Sequence, residues 1–289
     1  MRLEDLFEVV RELGRGGCGR VWLVRDRATG QELAAKVSDL GPDPYNRRKF
    51  ELEVKQLFRY GRLRHVVKIV RPYLDADPPF FLMPFAKGGT LTQWAGKLTP
   101  HQVLTLMRQL METLVQIHGE GGFHRDVKPD NMLLLGDGAA VLGDFGLGNS
   151  PQCTVHFTMH AAGTPGYAAP ELMADWPYDA SCDVFSAGAT WFHLLTGQHP
   201  RGLALPLNPR SVRGDVPEWT ASWVVAMTQP ERAQRLAASR VLGALTQATG
   251  GKDARLPAGQ PVAPAAVAAG VGGGLLLLLL VIGLIAASD

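Results

Sequence analysis

The feature that most constrains this chain is the stretch His124-Arg125-Asp126-Val127-Lys128-Pro129-Asp130-Asn131, followed after a short apolar run by Asp144-Phe145-Gly146. The run between them divides into two strand-like pieces, residues 132–135 and 139–142, around Gly136-Asp137-Gly138, and so reads as a β-hairpin. Asn131 then stands at one end of the hairpin and Asp144 at the other. A lone Asp or Asn at such a place is usually a turn residue, chosen for its local hydrogen bonds. The ordered set is different, because together these residues are what phosphoryl transfer from ATP requires. Asp126 can orient and deprotonate an acceptor hydroxyl, and Lys128 can offset charge on the moving phosphoryl group. Asn131 and Asp144 offer oxygen ligands to hold Mg²⁺ against the phosphates.

The rest of the chain sets bounds on this reading. A length of 289 residues allows one large domain or two small ones, and 46% hydrophobic residues are ample for a core. Lys and Arg number 29 against 27 Asp and Glu, a formal charge of +2, so the balance gives no reason to expect a nucleic-acid partner. Cys18, Cys153 and Cys182 are too scattered for a disulfide framework or a zinc site, which fits a reducing compartment. Charged residues in Met1-Arg2-Leu3-Glu4-Asp5-Leu6 stand where a secretory signal needs apolar ones, so the chain is expected to begin in the cytoplasm.

Upstream of the hairpin, Gly14, Gly16 and Gly19 are followed by Val21-Trp22-Leu23-Val24. A strand after such glycines argues for a hairpin lid over phosphates, where a dinucleotide-binding fold would place a helix. Leu33-Ala34-Ala35-Lys36 comes next, then residues 46–60 with Phe50, Val54, Leu57 and Phe58 as an apolar helical stripe. Residues 66–70 and 80–83 are short apolar runs suited to further strands. Thr99-Pro100 starts a helix, with Thr as N-cap and Pro at N1, and Val103, Met107, Leu110, Leu114 and Ile117 form its buried face.

These motifs, with Ala169-Pro170-Glu171 and Gly163-Thr164-Pro165-Gly166-Tyr167 downstream, resemble the eukaryotic-type serine/threonine protein kinases, in the bacterial membrane-anchored form. The resemblance extends over about residues 7–245. It implies a two-lobed α+β kinase fold, with the small β-rich lobe running to about residue 85. The implied nucleotide site takes Gly14, Gly16, Gly19, Val21, Ala34, Lys36, Met83, Pro84 and Ala86, with Met83 behind the adenine and Pro84 C=O and Ala86 N–H on the hinge. Lys36 is expected to touch the α- and β-phosphates and to pair with a helix glutamate. Glu51 and Glu53 both qualify, and the spacing favours Glu53.

By the same resemblance, the segment after Asp144 is an activation loop holding Ser150, Thr154, Thr158 and Thr164. Thr158 is the first candidate phosphosite and Thr154 the second, and Arg125 is the residue that would pair with the phosphate. Thr164 is the substrate-groove threonine, in contact with Asp126 and Lys128. Asp183 opens the buried helix of the large lobe. Glu171 is expected to form a buried ion pair with Arg232 or Arg235. Substrates would be proteins bearing Ser or Thr.

The C-terminus is of another kind. No charged residue occurs from 262 to 287, and residues 275–280 are six leucines. A helix over 265–287 would be roughly 34 Å long, enough for a hydrocarbon core of about 30 Å. A single membrane span is expected there, reached by a flexible Ala-, Gly- and Pro-rich tether over 246–264. Lys252 and Arg255 just before it favour a cytoplasmic catalytic domain at an inner or plasma membrane. Confinement to a plane would raise the effective concentration of copies and favour self-association for autophosphorylation in trans. The competing readings are a catalytically dead membrane scaffold and a small-molecule kinase. No catalytic group is missing, which counts against the first, and the activation-loop motifs count against the second.

Overall fold

Alternation along Leu33-Ala34-Ala35-Lys36 organises the small lobe, because successive side chains of a strand point to opposite faces. In the computed structural model, which describes residues 2–16, 19–38, 44–145, 164–174 and 176–257, both faces of that strand are covered. Strands β1 (Phe7–Gly16), β2 (Gly19–Asp26), β3 (Glu32–Val37), β4 (Arg71–Tyr73) and β5 (Phe80–Pro84) form one antiparallel sheet in the order β1-β2-β3-β5-β4. Its outer face packs Phe7, Val24, Leu33, Ala35, Phe80 and Leu82 against Leu3 of the short helix α1 (Leu3–Leu6). Its inner face sends Ala34, Phe81 and Met83 into a second core that continues through the large lobe.

Helix α2 (Pro44–Tyr60) lies on that inner core through Phe50, Val54 and Leu57. Each such burial stabilises by about 1.5–3 kcal/mol. The exposed Arg47–Glu51 pair on the outer side contributes at most about 1 kcal/mol, so the apolar face sets the helix orientation. Phe58, assigned to the stripe by sequence, is 59% exposed instead. Glu53 and Tyr60 flank the buried line on its other side, and at 100° per residue this turns Phe58 away from the core.

The expected strand over 66–70 forms only in part. Val66 makes a single parallel bridge to Leu142, and the Val67 N–H donates to Leu142 O at 2.9 Å, while the strand proper is β4, further on. Residues 65–67 thus join the small lobe to the hairpin of β6 (Met132–Leu134) and β7 (Ala140–Leu142).

The large lobe is built on α3 (Pro100–Gly119), which starts at a Thr99–Gln102 capping box and buries Val103, Met107, Leu110, Leu114 and Ile117. Helix α4 (Pro170–Met173) is followed by α5 (Ser181–Thr196), buried from Cys182 to Leu195 on every side, as expected for a helix apolar all round. Helices α6 (Glu218–Met227) and α7 (Ala238–Thr249) complete it. Between α5 and α6 the chain makes a 3-10 turn, Pro209–Ser211.

The tether expected from residue 246 does not begin there. Helix α7 runs to Thr249, and residues 253–256 return to α3, with Leu256 buried in the main core. Among the described residues no helix is long and apolar enough to cross a membrane; the span expected over 265–287 lies outside them.

Candidate active site

The site is assembled where the sheet, α2 and the β6–β7 hairpin meet. Lys36 on β3 points to the inner face between Ala34 and the cleft, its strand partners being Val21 and Phe81. Its ammonium donates to Glu53 Oε1 at 2.6 Å and to Asp144 Oδ1 at 3.3 Å. Glu53 is therefore the helix glutamate, and Glu51 remains an exposed partner of Arg47. Burial raises the Glu53 carboxyl to about 7, with Lys36 pulling the other way. Lys36 is the main influence on Asp144 and holds its carboxyl below the usual carboxylate range, against the cost of burial.

The catalytic-loop residues form a closed hydrogen-bond set. Asp126 Oδ1 accepts the Thr164 hydroxyl at 2.9 Å. Its Oδ2 accepts Lys128 Nζ at 2.6 Å and Asn131 Nδ2 at 3.0 Å. Lys128 also donates to Thr164 Oγ1 at 2.6 Å. The Asn131 amide nitrogen further donates to Asp126 O at 2.7 Å, which directs its Oδ1 away from Asp126 as a free oxygen ligand. Asn131 Oδ1 and the Asp144 carboxylate are hard oxygen donors, the set that suits Mg²⁺, an ion that takes few protein ligands and keeps water and phosphate oxygens. Among the described residues no cluster of three or more His, Cys, Asp or Glu is placed to hold a metal.

Backbone strain is concentrated at two of these residues. Arg125 has φ +69° and Asp144 φ +58°, left-handed values uncommon for side chains of this size. Arg125 is held by Asp183, whose buried carboxylate accepts the N–H of Arg125 at 2.7 Å and of His124 at 2.8 Å, and His118 Nε2–H at 2.9 Å. Burial opposes ionisation of Asp183, yet these donors keep its carboxyl below the ordinary range. His124 Nδ1 accepts the Asp126 N–H at 3.3 Å, so its Nε2–H is the donor to Gly143 O at 3.1 Å. The ring fixes the backbone on both sides of the site.

Gly14, Gly16 and Gly19 stand at the β1–β2 turn, with Gly16 and Gly19 paired. A Cβ on Gly19, at φ +146°, would fall 2.0 Å from Val37 O, so only glycine fits. A Cβ on Gly14 would meet nothing within 4 Å, leaving backbone open for close approach. Val21, Ala34 and Met83 belong to one apolar cluster, and Ala34 and Met83 are neighbours across β3 and β5. Pro84 ends β5 opposite Leu33, and Ala86 O accepts the Gly89 N–H at 3.0 Å as the chain turns.

Glu171 and Arg235 settle the second open choice. Arg235 donates to both Glu171 oxygens, at 2.6 and 2.8 Å, and its guanidinium stacks 5.0 Å over Phe185. Arg232 turns outward to Pro177 O. The Arg125 guanidinium lies 5.0 Å over the Tyr178 ring. Thr154 and Thr158, with Ser150 and Cys153, lie outside the described residues, as do Gly17 and Cys18.

Sequence reasoning missed three contributors. His118 steadies Asp183 from 65 positions away, and nothing in the local pattern around it signals that. Tyr60 stacks on Phe145 at 5.8 Å, although it continues the buried side of α2 and was legible as such. Leu133, half-buried beside the cluster of Ala34 and Met83, is given by the alternation Met132-Leu133-Leu134.

Residues 7–205 match the protein kinase domain family. Over 227 residues the chain is 31% identical to the serine/threonine-protein kinase PknL of Mycobacterium tuberculosis, covering 76% of this chain and 57% of PknL. It is 29% identical over 191 residues to the serine/threonine-protein kinase ppk11 of Schizosaccharomyces pombe, covering 65% of this chain and 61% of that one. A third relative, the serine/threonine-protein kinase PAK 5 of Rattus norvegicus, is 29% identical over 209 residues, which are 71% of this chain and 29% of its own. The chain thus spans little more than half the length of the first of these relatives. A lysine–glutamate pair facing an Asp–Lys–Asn–Asp constellation, on a two-lobed frame that matches one domain family, leads to one conclusion: the chain belongs to the eukaryotic-type serine/threonine protein kinase family.

Proposed function

We propose that this protein transfers the γ-phosphoryl group of ATP to Ser and Thr hydroxyls of proteins. The observation that carries the reading is the Thr164 hydroxyl seated on Asp126 at 2.9 Å with Lys128 2.6 Å from both. A carboxylate that already holds a hydroxyl, beside a lysine, can orient an incoming Ser or Thr hydroxyl and take its proton. Lys128 offsets charge on the transferring group, and Lys36, fixed by Glu53, reaches the α- and β-phosphates. Val21, Ala34, Met83 and the hinge residues Pro84 and Ala86 hold the adenine. Asn131 and Asp144 would hold Mg²⁺, which when bound neutralises charge on the phosphates.

Autophosphorylation of Thr158 or Thr154, read by Arg125, belongs to the same proposal, as does the membrane anchor. The anchor is supported by the uncharged run 262–287 and by Lys252 and Arg255 before it. It would set the catalytic domain on the cytoplasmic side of an inner or plasma membrane. Incubation with labelled ATP, Mg²⁺ and a generic protein acceptor tests the activity. Labelled Ser and Thr in the acceptor support it, and an unlabelled acceptor with intact ATP binding supports the scaffold reading instead.

A further inference from the structure

The segment that follows α7 is fastened to the large lobe at four points. Gly250 and Gly251, at φ +59° and +69°, turn the chain back over α3. The Ala254 N–H donates to Thr105 Oγ1 at 2.9 Å, and Gln102 Nε2 donates to Arg255 O at 2.9 Å. Asp253 accepts from Arg108 Nη2, and Leu256 is 5% exposed, its carbonyl beside Gly138 at the β6–β7 turn. Gln102, Thr105, Arg108 and Glu112 follow at spacings of three, three and four, one face of the helix.

From Asp253 the contacts continue toward the site. Arg108, 8% exposed, also donates through Nη1 to Glu112 Oε1. The other Glu112 oxygen packs beside the His65 ring, 3.7 Å from Nε2 and beyond hydrogen-bond distance, and His65 Nδ1–H donates to Ala140 O at 3.2 Å. The backbone carbonyl of His65 accepts the Leu142 N–H at 2.8 Å. So the segment meets the hairpin twice: at its turn through Leu256, and along β7 through Arg108, Glu112 and His65. The opposite ends of that hairpin carry Asn131 and Asp144.

We infer that residues 249–256 are a strap, and that Asp253 and Arg108 are positioning residues that fix, through Glu112 and His65, the hairpin presenting Asn131 and Asp144. The role given to that pair rests on the kinase reading above. Arg108 is buried, so loss of Asp253 draws both of its arms to Glu112 and moves that carboxylate off His65. β7 then loses its outer support.

The test uses the full chain in lipid nanodiscs, as wild type, Asp253→Lys, Asp253→Asn and Asp253→Glu. Amide exchange over residues 139–145 and the KM for ATP at saturating Mg²⁺ are measured. Asp253→Lys and Asp253→Asn are expected to speed exchange of the Leu142 and Gly143 amides about three- to tenfold and to raise KM by a comparable factor, with kcat changed less. Asp253→Glu keeps both near wild type. A purely local cover gives faster exchange at 250–256 alone, with β7 and KM unchanged, and that result overturns the inference. Asp253→Asn removes the charge without adding bulk and decides the matter if the lysine variant does not fold. Exchange needs no turnover, so a chain that transfers no phosphate yet shows the β7 effect would sink the kinase reading and leave the strap standing.

Discussion

The Asp183 carboxylate, wholly buried at the start of α5, accepts the backbone N–H of Arg125 at 2.7 Å and so holds that residue in a left-handed conformation one step before Asp126. The loop that carries Asp126 is therefore shaped from beneath by a buried residue of another element. Asp183→Asn keeps the volume but puts an amide where one oxygen must accept a donor. It is expected to lose about 2–4 kcal/mol of stability, from charge-assisted hydrogen bonds given up inside the lobe. The effect carries a pH signature. The folded carboxyl sits below its ordinary 3.8, so its contribution is full above that value and is lost as pH falls through the folded value. Urea titrations of wild type and variant should differ most near neutrality and converge on the acid side; a constant gap across pH would contradict this.

Glu53 is the buried partner of Lys36, and Glu53→Gln leaves that buried ammonium short of one counter-charge. Thermal midpoint is expected to fall, and the KM for ATP to increase at least about tenfold, the cost of one lost charge-assisted contact. Glu51→Gln, on the exposed side, should change neither. Equal effects of the two substitutions would place the pairing on the wrong residue.

Thr164 is held by its hydroxyl, between Asp126 and Lys128. Thr164→Ser retains that group and should retain most activity. Thr164→Val is nearly isosteric but takes one hydrogen bond from each of Asp126 and Lys128, and kcat is expected to fall by about 10²-fold, as for loss of a positioned polar contact near the reacting atoms. Steady-state kinetics on both variants decides it, and a fully active valine variant would remove Thr164 from the site.

The Glu171–Arg235 pair is buried at both ends, with the guanidinium also donating to Gln229 O and Pro230 O. Removing one partner leaves an uncompensated charge, so Arg235→Met should cost about 3–5 kcal/mol. Arg232→Met, at an exposed position, should cost about 0.5 kcal/mol or less. Chemical denaturation of the two variants measures the difference directly.

The parts of the site that were legible in the sequence are those set by local chemistry. A carboxylate, a lysine, an amide and a second carboxylate at fixed spacing along one strand–turn–strand segment come together because the hairpin brings them together, as Asp126, Lys128, Asn131 and Asp144 do. Glu53 was legible as the favoured partner because a helix face has a period, and the same period should have excluded Phe58. What escaped was either nonlocal or compositionally misleading. His118 and Asp183 meet across 65 residues with no shared pattern. Residues 249–256 look like a linker by their glycines and alanines, yet Gly250 and Gly251 supply a turn and Asp253, Ala254 and Leu256 supply contacts. Arg232 and Arg235 could not be separated by spacing alone, because the choice depends on which one the 3-10 turn Arg232–Gln234 aims inward.

The most direct measurement is intact-mass analysis of the full chain in nanodiscs, wild type against Asp126→Asn, before and after incubation with ATP and Mg²⁺. An active kinase gains phosphate on wild type, with Thr158 or Thr154 among the sites, and labels a generic Ser/Thr acceptor, while Asp126→Asn does neither at comparable ATP affinity. If wild type and variant both stay unmodified and the acceptor stays unlabelled, although ATP binds, the chain is a nucleotide-binding scaffold and the role given to Asp126 is wrong.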